Sequence, residues 1–254
     1  MKAALYGRMV FGASAALLGV ISLMWYDADT WQTLREIWNL PFGRVIGGGL
    51  MVLQIAGGVA MQHPRTARPA SVVLSVVYLL FSLACIPGIA AAPATYEPYG
   101  SFFEQFAALC GATGLYSATE ANAARTRALG RTARLGLGAC AVSFTLSQVF
   151  YLQTTASLVP KWIPPNQTFW AIVTTIAFAL AAIAMLINRQ ARVAIWLMTL
   201  MLALFGILVW IPRLIAHPET HFNWSECGLT FLIAGAAWMV GVSARRNAGA
   251  KGAV

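Results

Sequence analysis

Reactive side chains concentrate in one stretch of the chain, between positions 213 and 227. The stretch holds an arginine, two histidines, two glutamates and a cysteine: Arg213, His217, Glu219, His221, Glu226 and Cys227. Arg213 and Glu226 each lie at the edge of an apolar run, where an ionised group needs a partner. One interpretation is a structural ion pair between neighbouring helices. The other is an outward-facing polar pocket, in which Arg213 binds an anionic or carbonyl group and Glu226 accepts or relays a proton.

The two histidines of this stretch are candidate metal ligands. His217 and His221 are four positions apart, and on a helix this spacing puts both imidazoles on one face. Pro218 between them disfavours a regular helix. The alternatives are a metal site and a pair of interfacial polar residues, and the proline favours the second.

Further candidates for ligand contacts lie near the same ends of the apolar runs. They are an arginine, a glutamate and three tryptophans: Arg44, Glu104, Trp162, Trp170 and Trp224. Arg44 and Glu104 are the arginine and the glutamate of the first half of the chain that correspond to Arg213 and Glu226. The two pairs have diverged, because Gly88 lies near the counterpart of Arg213.

A proline-rich stretch, residues 159–165, separates two of the apolar runs. It is too rich in proline for a helix and too apolar for a free loop, so it is predicted to fold back onto the bundle. It would serve either as a lid over a lipid-soluble ligand or as a rigid loop closure.

The common motifs of soluble enzymes are missing from the sequence. The glycine runs at 47–49 and 57–58 lie inside apolar segments with no following Lys-Ser, and they predict close helix packing. The cysteines are widely spaced without a C-x-x-C pair, which disfavours a dithiol redox centre. No histidine lies deep in an apolar run, so haem is not predicted either.

Composition indicates a lipid solvent. Of 254 residues, 59% are hydrophobic and only 10% are charged, whereas about a quarter of the residues in soluble domains are charged. The net charge of +9 would suggest nucleic acid as the partner of a soluble protein, but these basic residues fall in short loops. The lipid bilayer is therefore the predicted partner, and nucleic acid is not.

Eight apolar segments are long enough to cross a bilayer, which requires about 20 residues each. They lie near 8–26, 43–62, 69–91, 101–119, 134–153, 168–187, 193–215 and 225–243. Their apolar residues are continuous rather than alternating, and backbone groups in lipid must be satisfied within the segment, so the predicted fold class is all-α.

The distribution of basic residues predicts the orientation of these segments. Thirteen of the 17 Lys and Arg residues fall on one side, including both ends of the chain. By the positive-inside tendency this side is cytoplasmic, and both termini are predicted to lie there.

The chain also contains an internal repeat with an offset of 122 to 126 residues. Matching pairs include Arg8 and Arg134, Gly12 and Gly138, Met61 and Met185, Pro87 and Pro212, and Glu104 and Glu226. The pattern predicts two four-helix repeats of the same orientation, residues 1–120 and 134–254 with a basic C-terminal tail. A basic cytoplasmic linker, residues 121–133, is predicted to join them and to contact anionic lipid headgroups.

The second repeat resembles a DoxX-type four-helix unit. The resemblance rests on short motifs, namely Val159-Pro160-x-Trp162-Ile163-Pro164, a helix ending at Pro212, and the stretch from His217 to Glu226. It implies a bacterial cytoplasmic-membrane protein. Some members of that family are associated with the oxidation of thiosulfate, in which quinone accepts the electrons. Others act in membrane redox or oxidative-stress assemblies. It implies no catalytic residues for this chain.

Three functional hypotheses follow. The first is a redox-associated membrane subunit that binds quinone near Trp162, Trp170, Arg213 and Glu226. The second is a scaffold or accessory subunit that packs against other membrane proteins, or against itself, through the small-residue faces at Gly47, Gly57 and Ala182. The third, motivated by the parallel repeats, is a small-solute transporter. Whether the chain is a catalyst is left open by all three.

Overall fold

The computed structural model describes residues 2–26 and 32–249, and these residues form helices and turns with no strand. The predicted all-α class is therefore confirmed. The α-helices are, in chain order, α1 (Lys2–Met24), α2 (Gln32–Trp38), α3 (Gly43–Ala60), α4 (Ala67–Ala84), α5 (Ile86–Ala91), α6 (Glu97–Thr119), α7 (Ala123–Phe150), α8 (Leu152–Leu158), α9 (Gln167–Ile187), α10 (Ala191–Phe205), α11 (Ile211–Ala216) and α12 (His221–Gly249).

Seven stretches of the described chain are helical, long and apolar enough to cross a membrane. They are Ala3–Met24, Gly43–Ala60, Ala67–Ala91, Ala123–Phe150, Gln167–Ile187, Ala191–Ala216 and His221–Ala244. The chain is a multi-pass membrane protein. The segment predicted near 101–119 lies in α6, which is of similar length but less apolar and is not among the seven. The helix α6 packs against α4, α7 and α12, and its polar residues Gln105 and Ser117 are fully buried.

The junction between the two halves differs from the predicted linker over 121–133. The helix α7 begins at Ala123, well before the predicted start at 134, and continues without a break to Phe150. The side chain of Asn122 accepts hydrogen bonds from the backbone N–H groups of Ala124 and Arg125 at 2.9 and 3.1 Å, and this N-cap stabilises the early start. Alanine and arginine, which favour helix, fill the following turns.

One end of the bundle, here named the arginine end, collects the first residues of α1 and α4 and the last residues of α3, α6 and α9. There the carboxylate of Glu120 lies 3.0 Å from the guanidinium of Arg68. Arg134 of α7 donates to the backbone carbonyl of Met185, near the end of α9. Among the basic residues counted toward this end, Lys251 lies outside the described part of the chain.

The opposite end, the tryptophan end, collects the end of α1, the starts of α6, α9 and α12, and the short helices α2, α5, α8 and α11. Trp25 after α1 stacks on His221 of α12 with ring centroids 5.2 Å apart. Tyr96, which precedes α6, donates its hydroxyl to Ser143 of α7 at 2.9 Å. These contacts fix which helix ends are neighbours.

The helices α6 and α12 lie in contact at the centre of the molecule. A Cβ added to Gly111 of α6 would lie only 2.4 Å from Cα of Ala236, so the glycine permits this close approach. Nearer the arginine end, Ser243 donates to the hydroxyl of Ser117 at 3.0 Å. Of the seven spans α12 is the most deeply buried, because it packs against α1, α6 and α10. The two halves therefore share one core.

The long span before α11 contains a π-helical segment, Gly206–Trp210. The first residues of α4 and α10, Ala67 and Ala191, are 124 positions apart, whereas those of α5 and α11, Ile86 and Ile211, are 125 apart. The second half therefore has one more residue in this region, and a single π-helical turn accommodates such an insertion.

Candidate functional site

A cavity of about 550 Å³ lies within the second half of the molecule. Its walls come from α7, α8, α9, α10, the π-helical segment and α12, and one residue comes from α6. Most of the lining is apolar, with aromatic side chains at Phe144, Trp170, Phe178, Phe205 and Trp210. This volume and this composition are typical of sites for small organic ligands.

Two carboxyl groups face this cavity. Glu104 belongs to α6 and Glu226 to α12, and each lies in the part of its helix nearer the tryptophan end. Each lies within range of the charge of the other. An apolar cavity disfavours two adjacent negative charges, so a pair of this kind is suited to hold and release a proton.

Amide and hydroxyl groups of α7 and α9 form a second polar patch in the wall. The side-chain oxygen of Gln148 accepts hydrogen bonds from the hydroxyls of Thr175 and Thr174 at 2.9 and 3.2 Å. Within the described residues, the amide nitrogen of Gln148 makes no hydrogen bond. It is therefore a donor available to a carbonyl group inside the cavity.

The proline-rich stretch covers the cavity at the tryptophan end. Pro160 and Ile163 are part of the lining. The indole nitrogen of Trp170 donates to the carbonyl of Pro164 at 2.7 Å, and the side chain of Gln167 donates to the carbonyl of Val159. These bonds tie the stretch to the start of α9, as expected for a segment that folds back onto the bundle.

One wall of the cavity is shared with the lipid-facing surface. Leu197, Leu200 and Leu204 of α10 line the cavity and are also 61%, 56% and 43% exposed. On a membrane-spanning helix such exposure means contact with acyl chains. The side chains of α10 thus separate the cavity from the lipid-facing surface by a single layer.

Of the residues predicted from the sequence, the cavity brings together Glu226, Glu104 and Trp170. Arg213 borders the cavity without lining it. Its guanidinium lies over the ring of Trp210 at 5.9 Å, and its Nη2 is 3.4 Å from the carbonyl of Ser157. No ion pair joins Arg213 to Glu226 among the described residues. Glu226 instead has the carboxyl group of Glu104 in its neighbourhood.

The remaining predicted ligand contacts lie elsewhere. Trp162 is 72% exposed on the far side of the proline-rich stretch. The indole nitrogen of Trp224 donates to the carbonyl of Pro218 at 2.8 Å, outside the cavity. Arg44 belongs to α3, where its guanidinium lies over the ring of Trp38 at 5.8 Å. The structure thus separates Arg44 from the cavity that Glu104 faces.

The two histidines do not converge on one point suited to a metal. His221 is buried, stacks on Trp25 and lies 3.0 Å from the hydroxyl of Ser225. His217 is exposed, and its Nδ1 lies 3.4 Å from the carboxylate of Glu219. Among the described residues no group of three or more His, Cys, Asp or Glu could hold a metal ion.

No family model, no curated protein and no solved structure matches the chain. The DoxX-type resemblance of the second repeat therefore stays a prediction from short motifs.

The small-residue faces that the scaffold hypothesis used are occupied within the chain. A Cβ added to Gly57 would lie 2.8 Å from the side chain of Leu74, and one added to Gly47 would lie 3.2 Å from the ring of Trp38. Ala182 is buried. These residues pack the helices of this molecule against each other.

Gln148 is a cavity residue that was not among the predicted contacts, although a glutamine inside a predicted span is a detectable signal. Cys110 of α6 and Cys140 of α7 belong to two helices that are in contact, and the sequence does not show this neighbourhood. All four cysteines are buried free thiols. Positions on two separate helices reveal such proximity only once the helices are packed.

Proposed function

We propose that this chain binds a lipid-soluble ligand of the quinone class in the cavity and acts as a redox-associated subunit of a bacterial cytoplasmic-membrane assembly. The observation that carries the proposal is the pair of carboxyl groups, Glu104 and Glu226, in an otherwise apolar cavity that borders lipid. Reduction of a quinone to a quinol takes up two electrons and two protons. The carboxyl pair would deliver the protons, and a partner redox protein would supply the electrons.

The other walls suit the same ligand class. A quinone ring is flat and apolar with carbonyl groups at opposite edges, so it needs aromatic faces and hydrogen-bond donors. Phe178 and Phe205 supply aromatic faces, and Gln148 supplies a donor. The exposed leucines of α10 would let an isoprenoid tail extend into the bilayer.

We infer further that the chain contains two parallel four-helix repeats with eight membrane spans, the eighth being α6. The order of long and short helices from α1 to α6 recurs from α7 to α12, which supports a duplication. Glu104 and Glu226 are then equivalent residues of the two repeats, and both face one cavity because α6 and α12 are in contact. By the positive-inside tendency the arginine end is cytoplasmic, and the cavity lies in the outer half of the membrane.

Titration of the purified chain with a short-chain benzoquinone, followed by tryptophan fluorescence, tests the proposal. The variant Glu226→Leu removes the polar group at nearly constant volume, and we expect about tenfold weaker binding because the ligand carbonyl loses its partner. The conservative Glu226→Gln, which can still donate a hydrogen bond, should bind within about threefold of the wild type.

Glu219→Leu is the matched control, because Glu219 is exposed at the same end of the bundle and does not line the cavity. Its affinity should equal that of the wild type. Equal affinities for Glu226→Leu, Glu104→Leu and the wild type would remove the carboxyl pair from the binding site and contradict the proposal.

A further inference from the structure

A second, highly basic pocket lies at the arginine end, away from the cavity. Its volume is about 760 Å³, and it is formed by α7, the turn between α9 and α10, and Ala244 of α12. The polar lining consists of four arginines, an asparagine and a glutamine: Arg127, Arg131, Arg134, Arg192, Asn188 and Gln190. We refer to it as the arginine pocket.

Among the residues that the structure describes, no acidic side chain lines the arginine pocket. Glu120, an acid at this end of the bundle, is engaged with Arg68 at 3.0 Å. Arg131 and Arg192 make no hydrogen bond or ion pair within the described part of the chain. The pocket is therefore a concentration of positive charge without a counter-charge of its own, as is typical of anion-binding sites.

The first turn of α10 adds to this positive potential. The helix begins at Ala191, which lines the pocket, and the preceding residue Gln190 makes no capping hydrogen bond with its side chain. The first backbone N–H groups of the helix are thus left without a side-chain acceptor. Such N–H groups, together with the helix dipole, favour the binding of phosphate.

The opposite wall of the arginine pocket is apolar and faces lipid. Leu186 and Ile187, the last two residues of α9, line the pocket and are 41% and 58% exposed. One wall is positively charged and the other is apolar and faces lipid. These walls suit an amphiphilic ligand with an anionic headgroup and an apolar tail. A free phosphate ion would leave the apolar wall unused.

We propose that the arginine pocket binds the phosphate headgroup of an anionic phospholipid, with an acyl chain along Leu186 and Ile187. Arg131 and Arg192 would contact the phosphate oxygens, since guanidinium groups pair with phosphate through two parallel hydrogen bonds. The position at a helix end suits this ligand, because basic pockets between membrane helices bind such headgroups at the level of the membrane surface.

The matching place in the first half lacks this property. Arg68 is the second residue of α4, as Arg192 is the second residue of α10. The carboxylate of Glu120 already compensates the charge of Arg68. The lipid site is therefore a feature of the second half alone, and one lipid should bind per chain.

Native mass spectrometry of the full chain in neutral detergent, with equimolar phosphatidylglycerol and phosphatidylcholine, tests this inference. The wild type should retain one phosphatidylglycerol in preference to phosphatidylcholine. The double variant Arg131→Gln, Arg192→Gln should lower that preference by about tenfold or more, because each arginine near a membrane surface favours an anionic lipid by about fivefold. Arg131→Lys, Arg192→Lys keeps the charge and should retain most of the preference.

Arg189→Gln is the matched control, since Arg189 lies in the same turn, is exposed, and does not line the pocket. It should bind phosphatidylglycerol as the wild type does. Excess inorganic phosphate distinguishes the two sources of the phosphate group, and the lipid should stay bound in its presence.

Three results would overturn the inference: an unchanged preference in the double Gln variant, an equal loss in Arg189→Gln, or complete displacement of the lipid by inorganic phosphate. Thermal unfolding in lipid-free detergent separates loss of binding from loss of fold. Because Arg131 and Arg192 are exposed, the double variant should unfold at the temperature of the wild type. If it does not, the single variants Arg131→Gln and Arg192→Gln carry the test, each with about fivefold lower preference.

Discussion

In the first half of the molecule, large side chains occupy the space that α1, α3, α4 and α6 enclose. Phe11, Met51, Tyr78 and Phe81 are fully buried, and the ring of Tyr78 lies 6.3 Å from each of the other two rings. In the second half, the helices in the same chain order enclose a cavity of about 550 Å³. A similar arrangement of helices thus encloses large buried side chains in one half and a cavity in the other.

Two local differences account for this contrast. The short helix α2 buries Leu34 and Ile37, whereas Ala156 is the buried residue of α8, and Thr155 and Leu158 line the cavity. The π-helical segment then adds one residue to the second half and supplies Leu208, Val209 and Trp210 to the cavity wall. Smaller side chains and one inserted residue therefore open a cavity without a change of fold.

Polar groups do not divide as simply. In the first half Gln54 donates to the hydroxyl of Tyr78 at 3.4 Å and Thr33 lies 3.4 Å from the thiol of Cys85, but Oε1 of Gln54 and both amide atoms of Gln105 are buried without a hydrogen-bond partner among the described residues. In the second half the carboxyl group of Glu226 faces the cavity. Buried pairing favours a fixed structure, whereas polar groups at a cavity are available to a ligand.

Truncation of equivalent aromatic residues should reveal the largest difference between the halves. Phe81 and Phe205 are 124 positions apart, the offset that also relates Met61 to Met185. Phe81→Ala creates a new hole in a filled core and should lower the free energy of unfolding by about 3 to 5 kcal/mol. Phe205 already borders empty space, so Phe205→Ala should cost about 1 to 2 kcal/mol.

Equilibrium unfolding of both variants in the same detergent measures the difference. Leu180→Ala on the lipid-facing surface of α9, where the side chain is 62% exposed, controls for loss of apolar contact with the detergent. Equal losses for Phe81→Ala and Phe205→Ala would mean that the two halves are packed alike in solution, and the comparison would fail.

Filling the cavity with a large side chain should make the core of the second half packed like that of the first. Ala177 of α9 lines the cavity, and Ala177→Phe would occupy much of its centre. We expect quinone binding to weaken by at least about tenfold, since the ligand and the new ring compete for one volume. The melting temperature should stay unchanged or rise, because the ring fills empty space rather than a packed core.

Leu180→Phe adds a ring to the lipid-facing side of the same helix and should leave binding as it is. A large fall in melting temperature for Ala177→Phe would indicate that no free volume exists at this position. If a stable Ala177→Phe variant binds quinone as tightly as the wild type, the ligand binds outside this cavity.

Much of the fold follows from the sequence, because continuous apolar runs bounded by prolines and arginines define membrane helices. The segment predicted at 43–62 is α3, Gly43–Ala60, and the one at 168–187 is α9, Gln167–Ile187. The start of α7 at Ala123 was missed, since polar helical turns outside the membrane carry no hydropathy signal. The π-helical segment was missed because an insertion of one residue leaves the apolar run continuous.

The site was less predictable than the fold. Glu104 and Glu226 stand out in the sequence as charged groups in apolar surroundings, and the repeat relates them. Their expected partners were Arg213 for Glu226, from adjoining ends of neighbouring helices, and Arg44 for Glu104, by analogy between the two halves. The structure brings the two acids to one cavity because α6 and α12 are in contact at the centre, and sequence spacing does not encode that contact.

Charge at the arginine end offers a further, smaller test of the comparison. The backbone N–H groups of Asn122 and Ala121 donate to the carboxylate of Glu120 at 3.0 and 2.8 Å. These bonds, with the nearby guanidinium of Arg68, lower the pKa of Glu120 below its usual value. No carboxylate lies beside Arg192 at the matching position in the second half.

Because the pKa of Glu120 is lower in the folded state, its contribution to stability is complete above the unfolded pKa of about 4.3 and is lost as pH falls through the lowered value. Glu120→Gln should therefore lower the melting temperature at neutral pH by a few degrees at most, since the partner Arg68 is half-exposed and solvent screens the pair. At a pH below the lowered pKa the variant and the wild type should melt together. Arg192→Gln, which breaks no ion pair, should show no such pH dependence. If Glu120→Gln lowers the melting temperature equally at both pH values, the ionised carboxylate does not stabilise the first half. The proposed difference in charge between the two halves would then be wrong.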